Sequence, residues 1–179
     1  MFISFTNVWM ILNYFRKIES EWPMQIVADA TFRFCDRDIG LVGIGIVLPG
    51  GKFQPLNYSL VPTESAQSYS LAWASYEKSA IYFARKFRHC EDRTCTTCAD
   101  IDNVLHAARV RELLRSDAVQ QENRLPVDCT ISDNNKAWQH VATHDMGLLA
   151  LKCITHLTGC IPLLLCLPLS HSNLRVPQP

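Results

Sequence analysis

Two aspartates, Asp29 and Asp133, stand at strand positions where a carboxylate can hold a metal ion. Asp29 lies within 25–34, where apolar residues alternate with other residues at the period of two that a strand requires. Asp133 closes a second apolar stretch, 126–133. If these strands are parallel neighbours, both carboxylates emerge at one sheet edge, where oxygen ligands suit Mg²⁺ or Mn²⁺. The corresponding chemistry is two-metal cleavage or transfer of phosphodiesters.

Each aspartate also has a plainer interpretation. Asp29 is compatible with an exposed position on the polar face of a two-sided strand, whereas a buried carboxylate would need a cation or a donor beside it. Asp133 is compatible with a helix N-cap ahead of the polar residues that follow it. By themselves the two residues do not distinguish a metal site from ordinary solvent-facing aspartates.

A second set of potential ligands lies in the charged, cysteine-rich segment 88–124, which we predict to be an insertion with few core residues. The segment offers three thiols and one imidazole, enough for a tetrahedral zinc ion: Cys90, Cys95, Cys98 and His106. Their spacing matches no standard zinc finger, so surface thiols and a solvent-facing histidine are an equal alternative. The segment also carries arginines near helical spacing that either contact phosphates or form a solvated face: Arg109, Arg111 and Arg115.

Three strands in a row precede the first long helix. After 25–34, apolar stretches at 39–48 and 53–61 are joined by short turn-forming sequences, which predicts an antiparallel meander. Pro55 lacks an amide hydrogen and predicts that the third strand lies at a sheet edge. From Ser65 onward, aromatic and small residues recur at helical spacing, which predicts a long helix with an aromatic core stripe.

Strand-like sequence resumes after the insertion. The stretch 126–133 predicts a fourth strand, 134–144 a short helix and 148–156 a fifth strand. A strand-helix-strand connection implies parallel pairing. We therefore predict an α/β fold whose mixed sheet has three antiparallel strands followed by two parallel ones, with helices on its faces.

Length and composition set the remaining limits. The 179 residues fit one domain, and a formal net charge of zero gives no general sign of nucleic-acid binding. Eight cysteines without a secretory leader predict a reducing compartment. The apolar N-terminal stretch is too short and too interrupted to span a bilayer, so we expect no membrane partner. We divide the chain into a flanking segment, 1–22, a domain, 23–160, and an irregular tail, 161–179.

Four motifs occur in order along the predicted domain. They are Ala28-Asp29-Ala30-Thr31-Phe32, the stretch from Asn57 to Ser65, Ile131-Ser132-Asp133, and Cys153-Ile154-Thr155-His156. Together they resemble the landmarks of the Mutator-like (MULE) transposase domain. The resemblance implies a ribonuclease H-like fold, an Asp-Asp-Glu triad that binds Mg²⁺ or Mn²⁺, the DNA of transposon ends as partner, and a nuclear location.

The resemblance also implies roles for individual residues. Asp29 matches the first acid of the triad and Asp133 the second. Cys153 and His156 match a Cys-x-x-His pair, which we expect to support the site rather than to bind a metal. Glu64 is similar to an acidic position after the third strand, although the helix dipole explains a first-turn acid equally well.

One part of the family pattern is missing. The catalytic Glu belongs on a helix after the Cys-x-x-His pair, but no acidic residue follows His156. The last stretch is apolar and is broken by Pro162 and Pro168, so it makes a poor helix. We therefore expect a C-terminally truncated domain without its last helix, marginally soluble, with an uncovered sheet face that favours self-association.

These inferences lead to two main functional hypotheses. The first is a fragment of a Mutator-like transposase, inactive here for want of the third acid, whose full-length relatives cleave and transfer DNA strands by a two-metal mechanism. The second is a catalytically dead, domesticated DNA-binding or regulatory module. A pseudogene product without function is a third.

Overall fold

The computed structural model describes residues 2–20, 22–31, 39–86, 96–132, 135–148 and 150–152. The strands are β1 (Ile3–Phe5), β2 (Gln25–Thr31), β3 (Gly40–Leu48), β4 (Lys52–Val61), β5 (Cys129–Ser132) and β6 (Ala150–Lys152). The helices are α1 (Val8–Ile18), α2 (Ala66–Lys86), α3 (Thr96–Leu105), α4 (Ala108–Arg115), α5 (Asp117–Gln120) and α6 (Lys136–His140), which continues into a π-helical turn (Val141–Asp145).

The six strands form one sheet in the order β1-β4-β3-β2-β5-β6. β1 pairs with β4, β4 with β3 and β3 with β2, all antiparallel. β5 is parallel to β2, and β6 is parallel to β5. The structure thus confirms the predicted α/β fold and its mixed sheet of three antiparallel strands followed by two parallel ones. It adds one strand, β1, which the sequence pattern did not predict.

The N-terminal segment contributes both a strand and a helix to the same core. Asn7 caps α1, its side chain accepting the amide hydrogen of Met10 at 2.9 Å. One side of α1 is apolar at helical spacing, and Leu12 and Phe15 on that side are fully buried. Residues 2–20 are therefore integral to the packing around the sheet.

The position of β4 differs from the prediction based on Pro55. β4 lies between β1 and β3, so it is not an edge strand. Pro55 is tolerated because β1 is short and pairs only with Tyr58 to Leu60, and because Pro55 stands opposite Gly45 at an irregularity in the β3–β4 register. A proline in an inner strand is acceptable where the neighbouring strand has already ended.

One face of the sheet carries the main core. Ile26, Ile44 and Ile46 share this face and are fully buried. Helix α2 packs against it with the predicted aromatic stripe, of which Tyr69 and Tyr76 are fully buried. The sequence-based assignment of these aromatic residues to the core is confirmed.

The helices α3 to α5 belong to the same core. Ile101, Leu105, Val110 and Val119 are all buried within it. At the surface, the guanidinium of Arg16 on α1 lies 3.6 Å from the carboxylate of Asp100 on α3. The described part of the 88–124 segment is therefore not the core-poor excursion that its charged composition predicts, because its few apolar residues are spaced to face α1 and α2.

Candidate active site

Asp29 lies on β2, in the middle of the sheet, and its side chain is exposed. Its Oδ1 accepts the amide hydrogen of Ala30 at 2.8 Å. Gly43 stands opposite on β3, and a Cβ there would lie 3.3 Å from the Tyr58 ring. Of the two interpretations of Asp29, exposure is the one observed, so the carboxylate is accessible to a cation or a ligand and suffers no large desolvation penalty.

β5, the strand that ends just before Asp133, is the parallel neighbour of β2. Val27 is paired with Ile131, and β5 ends at Ser132. The pairing is secured at its start, where the Asp128 carboxylate accepts the amide hydrogen of Met24 at 2.6 Å. Asp133 itself lies outside the described residues. The condition set by the sequence, that the two strands be parallel neighbours, is met.

Glu64 takes part in a polar cluster near the end of β2. Its Oε1 accepts the hydroxyl hydrogen of Tyr69 at 3.0 Å, and it also accepts a hydrogen from the side-chain amide of Asn135. The same amide donates to the Tyr69 hydroxyl at 2.6 Å. The three side chains therefore join the start of α2 to the start of α6.

The pKa of the Tyr69 phenol is affected by its burial and by the charges around it. Burial raises its pKa well above the usual range for tyrosine, and the charge and hydrogen bond of Glu64 raise it further. The carboxylate of Asp29 raises the pKa of Tyr69 as well, whereas the hydrogen bond from Asn135 lowers it. Asp29, Glu64 and Asn135 thus act on one phenol, which remains protonated and serves as a hydrogen-bond donor.

Asn135 is a site residue that the sequence analysis did not identify. Its Oδ1 accepts the amide hydrogen of Trp138 at 3.0 Å, which makes it the N-cap of α6. The alternative in which Asp133 is the N-cap would place the cap two residues earlier than Asn135, where α6 has it. The N-cap role of Asn135 was recognisable from the sequence, because asparagine is a preferred N-cap residue. Its contact with Glu64 was not, because the two residues are 71 positions apart.

The proposed zinc ligands are only partly within the described residues. Cys90, Cys95 and the side chain of Cys98 lie outside them, as do Cys153 and His156. His106 is exposed at the end of α3, and its amide hydrogen bonds to the carbonyl of Asp102 at 2.8 Å. The zinc site and the role of the Cys-x-x-His pair stay predictions.

The three arginines of the same segment lie on the surface. Arg109 donates to the carbonyl oxygen of Ser20 at 3.2 Å, which ties α4 to the end of α1. Arg111 and Arg115 are exposed on α4, together with Glu112. The structure thus gives Arg109 a local structural contact and leaves the other two side chains accessible to solvent.

The described part of the chain contains no group of three or more His, Cys, Asp or Glu side chains arranged to hold a metal ion. Asp29 supplies one accessible carboxylate with a second oxygen not engaged by Ala30, which suits an ion such as Mg²⁺ that takes one or two carboxylates and keeps several waters. Within the same residues, no helix is long and apolar enough to cross a membrane.

Comparison with known proteins adds no relative. No protein-family model, no curated protein and no solved structure matches this chain.

Proposed function

We propose that this chain is a ribonuclease H-like domain related to Mutator-like transposases, in which Asp29 and Asp133 bind Mg²⁺ or Mn²⁺ beside a DNA phosphodiester. The observation that carries the proposal is the parallel pairing of β2 with β5 at the centre of the mixed sheet. Three antiparallel strands followed by two parallel ones is the arrangement that the resemblance implies. The described residues of the first three motifs lie on β2, on β4 with the turn after it, and on β5, and the fourth motif lies outside the described residues.

The pairing register supports a shared site for the two aspartates. Asp29 is two residues beyond Val27, and Asp133 is two residues beyond Ile131, the partner of Val27. Residues two apart on a strand point to the same face. The proposal therefore pairs the Asp133 carboxylate with that of Asp29, so that two carboxylates share one cation.

Glu64, Tyr69 and Asn135 would support this site rather than bind the cation. One carboxylate oxygen of Glu64 is engaged by both neighbours. The resulting link between α2 and α6 fixes the start of α6, only two residues beyond Asp133. A divalent ion bound there would stabilise negative charge on a phosphodiester.

The proposal assigns the binding of one cation to the two aspartates. The family triad also needs a Glu after the Cys-x-x-His pair, and residues 157–179 contain no acidic residue. Two carboxylates suffice to hold one cation, whereas the two-ion arrangement needs a third acid.

A DNA-binding or regulatory module without catalysis is the second candidate, and the surface of α2 favours it. Lys78, Tyr82, Arg85 and Lys86 line one groove on this helix, and Tyr82 is 66% exposed. Cations beside an exposed aromatic ring can contact phosphates and stack on unpaired bases. Arg85 also bonds to Asn123 at 3.0 Å, so Lys78 and Lys86 are the cleaner positions to vary.

Thermal melting with Mn²⁺ tests the metal site. Asp29→Asn keeps an oxygen that can accept from Ala30 and removes the charge, so we expect Mn²⁺ to raise the Tm of the wild type and not of this variant. Asp117→Asn, an exposed acid of α5, is the matched control and should keep the full Mn²⁺ response. Equal Mn²⁺ shifts in the wild type and in Asp29→Asn would exclude Asp29 as a ligand.

Binding of a mixed-sequence DNA duplex separates the two candidates. Replacing both Lys78 and Lys86 with Ala should weaken binding and reduce the slope of log affinity against log salt by about 1 per lost phosphate contact, if α2 holds the DNA. The active-site proposal instead expects Asp29→Asn to abolish the Mn²⁺-dependent part of binding and to leave binding without metal unchanged.

A further inference from the structure

His140 and His144 form a close pair on the surface of the α6 region. Their ring centroids are 4.3 Å apart and the ring planes are tilted by 36°. Both side chains are exposed, whereas Val141 and Ala142 between them are fully buried. The helix therefore presents the two imidazoles side by side on its outer face.

The local backbone explains this spacing. His140 ends α6, and His144 lies in the π-helical turn that follows, where the Met146 amide hydrogen bonds to the Val141 carbonyl at 3.0 Å. Residues four apart are neighbours on one side of a helix, with Cβ atoms about 5–6 Å apart. The two imidazole rings are therefore in contact in the observed backbone conformation.

We propose that His140 and His144 form a two-histidine site for a borderline divalent metal, of the Ni²⁺, Cu²⁺ or Zn²⁺ class. Two imidazoles at i and i+4 on one helical face can bind one ion through two nitrogens. Imidazole suits these metals, whereas Mg²⁺ and Mn²⁺ prefer oxygen. No third protein ligand joins the pair among the described residues, so water completes the coordination sphere.

This site is independent of the proposed Mg²⁺ site. It uses no carboxylate and does not depend on the transposase resemblance.

Calorimetric titration of the reduced full chain with Ni²⁺ tests the proposal. Either His140→Ala or His144→Ala should weaken this binding step by at least about tenfold, the lower end of what loss of even an outer-shell partner costs. Thr143→Ala, an exposed neighbour, should bind Ni²⁺ like the wild type. Cysteine-based binding would persist in all four proteins and so cancels in the comparison. Titration curves for both histidine variants that match the wild type would overturn the site.

Discussion

Replacing Gly45 with alanine should destabilise the fold, whereas the same change at Gly43, two residues away on the same face of β3, should not. A Cβ at Gly45 would overlap ring carbons of Phe53 and lie 2.6 Å from the carbonyl oxygen of Gln54. A Cβ at Gly43 would meet only the Tyr58 ring, at 3.3 Å. Neither glycine has a positive φ, so backbone conformation does not separate the two variants.

The magnitude follows from which atoms can move. The Phe53 ring is 48% exposed and can swing toward solvent at little cost. The Gln54 carbonyl belongs to the backbone of β4, paired with β3, and has to shift. Overpacking that moves backbone costs about 1–3 kcal/mol, and the entropy gained on replacing Gly with Ala offsets about 0.4–1 kcal/mol. We expect a net loss of about 1.3 kcal/mol for Gly45→Ala, the difference between the midpoints of these two ranges, and almost none for Gly43→Ala.

Thermal and urea melts of both variants measure this difference. For a chain of this length, a loss of about 1.3 kcal/mol corresponds to a Tm lower by about 3–5 °C. Adding Phe53→Ala to Gly45→Ala should restore only part of the loss, because the Gln54 carbonyl remains. Equal stability of the two alanine variants, or complete rescue by Phe53→Ala, would refute the reasoning.

Three further predictions follow from buried or linked polar groups. Asn57→Leu should lower stability by about 3 kcal/mol, because it removes three hydrogen bonds, to Ser4, Ser59 and Ala72. Ser59→Ala should cost only about 1 kcal/mol, and urea melts that rank the two variants otherwise would contradict this. Burial raises the pKa of Glu77, so the stability that this group contributes is present below its unfolded pKa and is lost as the pH rises through its folded pKa. Glu77→Gln should therefore match the wild type in acid and become the more stable of the two toward neutral pH. A difference in stability that does not change with pH would count against this explanation. Asn135→Ala should cost about 1 kcal/mol through the lost N-cap. Asn135→Ser keeps a cap oxygen and should retain most of that stability, and urea melts in which the two variants are equally stable would contradict this.

Much of the sheet was predictable because its signals are local. The alternation around Asp29 and the glycine turn before β4 specify antiparallel strands, and a strand-helix-strand connection specifies parallel pairing, whichever residues fill the positions. The aromatic stripe of α2 was likewise recognised as core from its spacing. In contrast, β1 was not predicted, because three residues are too few to show a period.

The candidate site was only half predictable from the sequence, which placed Asp29 on the central strand next to a parallel partner. Whether that carboxylate is buried depends on which face the helices cover, and the fold leaves it exposed. Glu64 and Asn135 meet only because α2 and α6 begin at the same end of the sheet. The same dependence explains Pro55, whose tolerance is decided by where β1 ends. Periodicity determines which elements form, since it acts between residues close in sequence, whereas exposure and long-range contacts arise only when those elements pack.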